Sequence, residues 1–137
     1  MVSNTKAAVK LFTHPNSPFG AKIYWALQYK RAEFDLIYVN PLTRNEIAFT
    51  EQGVVPILKV GEAWLQDSSE NCLWLDDVYP KRPFSGETDE QREGILEADQ
   101  WVTDNIVALH FRACIDKGDG QTTKRNARRM ATLYFQS

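Results

Sequence analysis

Long apolar runs are missing from this chain. No uninterrupted stretch approaches the ~18 residues that a membrane-spanning helix needs, so no membrane segment is expected. The first residues, Met1 to Lys6, carry one positive charge but no apolar core ending in small residues, and a secretory signal is not expected. Cysteine is scarce as well. Cys72 and Cys114 stand 42 positions apart, without metal spacing or partnering histidines. They read as two buried thiols in a reducing cytoplasm rather than as a disulfide. His14 and His110 have no cysteine or acidic partner at ligand spacing, so no metal site is expected.

Charge of one sign is not in excess overall, since the net charge is −2, but it is unevenly spread. Residues 1–116 hold 11 Lys/Arg against 17 Asp/Glu, whereas residues 117–137 hold five against one. An acidic body argues against nucleic acid as the main partner. The basic stretch Lys124-Arg125-Asn126-Ala127-Arg128-Arg129 reads as a solvated end. What is present is ordinary: 137 residues, 43% apolar and 12% aromatic, suit one domain with a real core, or one domain plus a helical appendage.

Ala8 to Phe12 reads as a first strand, broken by Thr13-His14-Pro15-Asn16. Ser17-Pro18 then starts a helix to about Lys30: serine caps free amides and proline fits the first turn. Phe34 to Val39 is a second strand, and Thr43 to Thr50 a short, weakly defined helix. Gly53 leads into a third strand, Val54 to Val60, with Pro56 near its start. Gly61-Glu62 turns the chain into a fourth, Ala63 to Gln66. Asp67 opens a helix that Pro80 ends. After a linker at Lys81 to Thr88, one helical pattern runs from Asp89 to Asp116, with Ile95, Val102, Ile106, Leu109 and Ala113 as its apolar stripe. The expected fold is therefore α/β: a thioredoxin-like βαβαββα domain over 1–80, a linker over 81–88, and a long helix over 89–118. A polar, basic tail over 119–137 follows. Trp25, Trp64, Trp74 and Trp101 read as core and domain-contact residues.

Three segments together resemble the glutathione-binding domain of the cytosolic glutathione transferases. They are Leu11 to Lys22, containing His14-Pro15-Asn16-Ser17-Pro18; Gly53-Val54-Val55-Pro56-Ile57-Leu58; and Leu65-Gln66-Asp67-Ser68 at the head of the helix before the linker. The stretch after the linker resembles the first helix of that family's second domain. The likeness covers about Val9 to Asp116.

The resemblance implies glutathione as co-substrate and a cytoplasmic, homodimeric protein acting on an electrophilic small molecule. It implies Ser17 as the catalytic position, where a hydroxyl beside a helix N-terminus favours the thiolate of a thiol whose free pKa is near 8.5–9. Ser17 also reads simply as a helix cap, with Asn16 and Thr13 as neighbouring candidates. Pro56 is expected to follow a cis bond, turning the backbone of Val55 toward the ligand; a trans proline opening an edge strand is the alternative. Ser68 is expected to hold the γ-glutamyl carboxylate and Asp67 its ammonium group, although Asp67 with Glu70 also fits a capping box. Arg44 is a weaker candidate for the glycyl carboxylate.

The pattern departs from the family in two ways. Neither Ser17 nor Gly20 is cysteine, so a dithiol or mixed-disulfide cycle is not available there. The chain is also short. The family continues with further helices that complete the electrophile pocket, so the second domain is read here as truncated. The ending Leu133-Tyr134-Phe135-Gln136-Ser137 resembles a viral-protease cleavage site of engineered origin. A lone amphipathic helix leaves apolar surface open, and a second chain is expected to cover it. A non-catalytic binding or dimerisation module is the competing expectation.

Overall fold

The computed structural model describes residues 8–110 together with Arg125 and Arg128. Cys114 and most of the basic tail lie outside the described residues. Four strands form one sheet in the order β2-β1-β3-β4: β1 is Val9–Thr13, β2 Asp35–Tyr38, β3 Ile57–Val60 and β4 Ala63–Leu65. β1 and β2 run parallel, joined by the helix α1 (Pro18–Lys30), while β3 is antiparallel to both β1 and β4. Helix α2 (Ser68–Val78) follows β4, and α3 (Asp89–Val102) continues as a π-helical stretch, Thr103–Val107. This is the thioredoxin-like arrangement the sequence predicts, although the long helix expected over 89–118 turns π-helical at Thr103 and its end lies outside the described residues. The short helix expected over 43–50 is a single 3-10 turn, Asn45–Ile47, entered through Arg44 in the left-handed region. Asn40 accounts for the late start: its side-chain oxygen takes the amides of Leu42 and Thr43, a local turn competing with helix.

Alternation along the strands builds two cores. Val9, Leu11 and Leu58 point to one face, where Ile23, Ala26 and Leu27 of α1 and Leu75 of α2 cover them. Phe12 and Ile57 point to the other, against Val39 and Ile47. Leu11, Ile23, Leu27, Ile57, Leu58 and Leu75 are wholly buried, and each such side chain contributes roughly 1.5–3 kcal/mol of burial. Gly61, at φ 61°, makes the two-residue turn that joins β3 to β4.

The linker is clamped rather than loose. Asp76 of α2 accepts from the amides of Phe84 and Ser85 and from the Ser85 hydroxyl. The same carboxylate pairs with Lys30 of α1 at 2.6 Å, and Lys30 also donates to the carbonyls of Tyr79 and Lys81. Burial pushes the Asp76 carboxyl up, but hydrogen bonds from Lys30, Phe84 and Ser85 outweigh it and hold the group at about 2.

Two expectations need correction. Trp25 is 68% exposed, Trp101 59% and Trp64 38%, so none of the three is a core residue. Trp25 falls outside the Ile23, Ala26, Leu27 face of α1. Trp101 sits on α3, which has no buried residue; Ile95, Leu96 and Val102 on α3, and Ile106 and Leu109 after it, are exposed as well. The uncovered stripe is as expected. Cys72 is half-buried rather than buried, lining a 350 Å³ cleft between α1, α2 and α3 with Trp25, Leu73, Ile95 and Leu96.

Candidate functional site

Strand register gathers the candidates at one end of the sheet. Phe12 pairs with Ile57, so the C-terminal end of β1 meets the N-terminal end of β3; Leu58 pairs with Leu65, which brings the end of β4 to the same edge. Thr13 pairs with Tyr38, so β2 also ends there. The chain therefore leaves β1 toward Ser17, enters β3 through Val55-Pro56, leaves β4 toward Asp67-Ser68, and leaves β2 toward Arg44, all on one rim. Two helices, α1 and α2, start from this rim with their N-termini. Such an end combines unpaired amides with the positive ends of helix dipoles and favours anions.

Each position has a defined local structure. Ser17 is extended (φ −78°, ψ 117°) and caps α1, its hydroxyl oxygen accepting from the Gly20 amide at 3.0 Å. Capping uses a lone pair on the oxygen, so the hydroxyl proton remains available to donate. Gly20 is fixed by a close approach: a Cβ there would stand 1.8 Å from Thr13 Oγ1, so the first turn of α1 lies directly on the end of β1. His14 is tied to the same rim, its Nδ1 2.9 Å from the carbonyl of Val39. Burial draws the His14 pKa down, with Arg44 acting in the same direction and the Val39 bond and Glu46 opposing.

The Val55–Pro56 peptide bond is cis. Pro56 is buried and Val55 half-buried against the Phe12, Val39, Ile47, Ile57 cluster. Gln66 donates from Nε2 to the carbonyl of Val54 at 3.1 Å, fastening the segment before β3 to the segment before α2. Asp67 caps α2, accepting from the amides of Ser69 and Glu70 at 2.8 and 2.9 Å; this cap leaves the amide of Ser68 unused. Ser68 is 7% exposed, at the first position of the helix. Arg44 is exposed, and its guanidinium passes beside Gly53. Thus the rim brings Ser17, Val55-Pro56 and Asp67-Ser68 together, while Arg44 stands at its border.

Three residues without a role assigned from the sequence stand beside this rim: Lys22, Ser69 and Asp99. Lys22, one turn into α1 from Pro18, pairs with Asp99 of α3 at 2.5 Å and donates to the Ser69 hydroxyl at 3.1 Å. Ser69 in turn donates to the other oxygen of Asp99. Burial raises the Asp99 pKa, and the bonds from Lys22 and Ser69 more than reverse this, leaving it below its ordinary value. Next to this junction, Pro18, Phe19, Ala98, Val102, Thr103 and Val107 line a cleft of 420 Å³.

A family model described as the N-terminal domain of glutathione S-transferase matches residues 11–83. The chain belongs to the glutathione S-transferase family. The match holds all three rim segments and ends within the linker.

Over 67 residues the chain is 36% identical to prostaglandin E synthase 2 of Danio rerio, which is 48% of this chain and 18% of that protein. Among solved structures, glutathione transferase Omega 1C of Trametes versicolor shares the fold at a TM-score of 0.71 and 15% identity, over 93% of this chain and 60% of its own. A glutathione transferase homologue from Burkholderia, solved with bound glutathione, gives 0.64 and 20% over 79% and 60%. A trimeric glutathione transferase of Leishmania gives 0.65 and 25% over 92% of this chain and 29% of its own. The chain thus spans no more than about three fifths of these relatives. The family match covers the N-terminal domain, and α3 follows it in the chain.

Proposed function

We propose that this chain binds glutathione along the rim and activates its thiol for transfer to an electrophile. The γ-glutamyl carboxylate meets the amide and hydroxyl of Ser68 at the N-terminus of α2. Asp67, already capping that helix, presents the remaining negative charge to the ammonium group. The backbone of Val55 pairs with the peptide as a strand edge would, and Arg44 reaches the glycyl carboxylate from the border. The sulfur then lies beside Ser17, whose hydroxyl donates to it while its oxygen keeps the Gly20 cap. A thiolate so placed is favoured by the donor and by the dipole of α1. A dithiol step at this position has no thiol to carry it, since positions 17 and 20 are serine and glycine.

The observation that carries this reading is the convergence, through strand register, of Ser17, Val55-Pro56 and Asp67-Ser68 on one rim within the family-matched region. The proposed setting is a cytoplasmic homodimer. A second reading, a non-catalytic binding or dimerisation module, is favoured by the uncovered apolar side chains of α3. A glutathione titration followed by tryptophan fluorescence tests binding, because Trp64 lies on β4 beside the rim. Turnover of a generic electrophile, measured in the full chain and in Ser17→Ala, then separates the two. Saturable binding with turnover lost in Ser17→Ala supports the enzyme; binding without turnover supports the module. The absence of any saturable binding at millimolar glutathione would sink the enzyme and leave only a dimerisation module.

A further inference from the structure

Asp99 is remote in sequence from the glutathione rim, yet it touches both helices that begin there. One of its carboxylate oxygens holds Lys22 and the other holds Ser69, while Lys22 also donates to Ser69. Three helices meet in this closed ring of hydrogen bonds. Lys22 lies one helical turn from Pro18, and Ser69 is the residue after Ser68. A shift at either side chain is therefore carried by a rigid turn of helix to Ser17 or to Ser68. α3 has no buried residue among those described, so its seat on α1 and α2 depends heavily on this ring and on the apolar cleft walls beside it.

We propose that Asp99 is a positioning residue: by gripping Lys22 and Ser69 together it fixes the spacing of the two helix N-termini across which glutathione is bound. The inference rests on the reading of the rim given above. It assigns α3 a part in glutathione affinity, although α3 supplies no residue to the glutathione contacts. Asp99 touches neither ligand nor thiol. Its effect is on the distance between the anchor at Ser68 and the hydroxyl at Ser17, and small misplacements of such anchors are costly.

The test uses the full chain with Asp99→Ala and Asp99→Asn. Asparagine keeps the shape of the group, accepting from Lys22 through its oxygen and donating to Ser69 through its amide. Amide hydrogen exchange is measured first, without ligand, at Gly20 and Glu70, the capped amides in the first turns of α1 and α2. In Asp99→Ala both exchange about tenfold faster, the scale of one charge-assisted hydrogen bond, while the strand amides of Leu11 and Leu58 keep their rates. Asp99→Asn restores both turns to within about threefold of the parent.

Glutathione titration by tryptophan fluorescence then gives a Kd about tenfold higher in Asp99→Ala and close to the parent in Asp99→Asn. Unchanged exchange at Gly20 and Glu70, or an equal rise at Leu11 and Leu58, overturns the proposal whatever glutathione does. Loosened first turns with parental affinity overturn it too. A parent chain that binds no glutathione refutes the reading of the rim instead, and the exchange measurement separates that failure from the first.

Discussion

Removing the carboxylate of Asp76 is the most direct challenge to the account of how the linker is held. The Lys30 side chain has no exposed surface and that of Asp76 only 12%, so their 2.6 Å contact is a buried ion pair. Truncating one partner of such a pair leaves an uncompensated charge and costs about 3–5 kcal/mol, against a total stability of about 5–15 kcal/mol for a domain. Asp76→Ala also strips the partner from the amides of Phe84 and Ser85. The assay is urea unfolding at neutral pH, followed by tryptophan fluorescence. The expected loss is about 3 kcal/mol, with the m-value unchanged.

The same carboxylate gives a second, smaller magnitude that must agree in sign. Its pKa is about 2 in the fold against 3.8 as the ordinary value, a difference equivalent to about 2 kcal/mol. Because the folded pKa is the lower one, this stabilisation is complete above about 3.8 and is lost as the pH falls through about 2. Protonation costs less than deletion because a neutral carboxyl still accepts hydrogen bonds and Lys30 keeps its carbonyls. The gap in stability between parent and Asp76→Ala should therefore narrow by about 2 kcal/mol on acidification across that window. A neutral-pH loss below about 1 kcal/mol, or a gap independent of pH down to 2, would refute the clamp.

Three further outcomes follow from local geometry. Gly20→Ala drives a methyl into Thr13 and should lower stability by about 1–3 kcal/mol in thermal denaturation; a parental midpoint would contradict the packing of α1 on β1. Ser17→Ala should cost about 1 kcal/mol through the lost cap, whereas Ser17→Asp should keep the cap and so most of the stability while failing in electrophile turnover. That pair separates the capping role from the chemical one. Cys72 should react with a thiol reagent at neutral pH more slowly than a free thiol and at the ordinary rate in denaturant, since burial raises its pKa against the opposing effect of Lys22.

Features fixed by neighbours in the chain were legible from the residues. Ser17-Pro18 marks the start of α1 because cap and first-turn chemistry involve only the next three amides, and the structure has the helix at Pro18–Lys30. Asp67 marks α2 for the same reason. The rim itself was legible only by resemblance. That Ser17, Val55 and Ser68 share one edge depends on Phe12 opposing Ile57 and Leu58 opposing Leu65, and such pairing is not encoded within any one segment. Trp74 packs on the core as expected, but Trp25 and Trp101 do not, because burial is a one-way rule: apolar residues fill cores, yet much apolar surface stays exposed. Helical angle was the better guide, since Trp25 lies off the face that Ile23, Ala26 and Leu27 present.

The ion pairs leave a signal in the sequence, although it does not name their partners. Lys30 continues the Ile23, Ala26, Leu27 face of α1, and Asp99 interrupts the stripe of Ile95, Val102 and Ile106 along α3 and its π-helical continuation. A charged residue on an apolar helix face must be paired or be expelled, because burying it alone is too costly. Both are paired, with partners 46 and 77 positions away. Neither partner could be named without the tertiary contacts, but the demand for one could have been stated. The two pairs do different work. Lys30–Asp76 fastens the linker to the sheet-covering helices, so that α3 starts from a fixed point. Lys22–Asp99 then fastens α3 back onto the first turns of α1 and α2. Between them the linker and α3 form a strap whose two ends are both ionic, and a cut at either end should leave the sheet intact while loosening the rim.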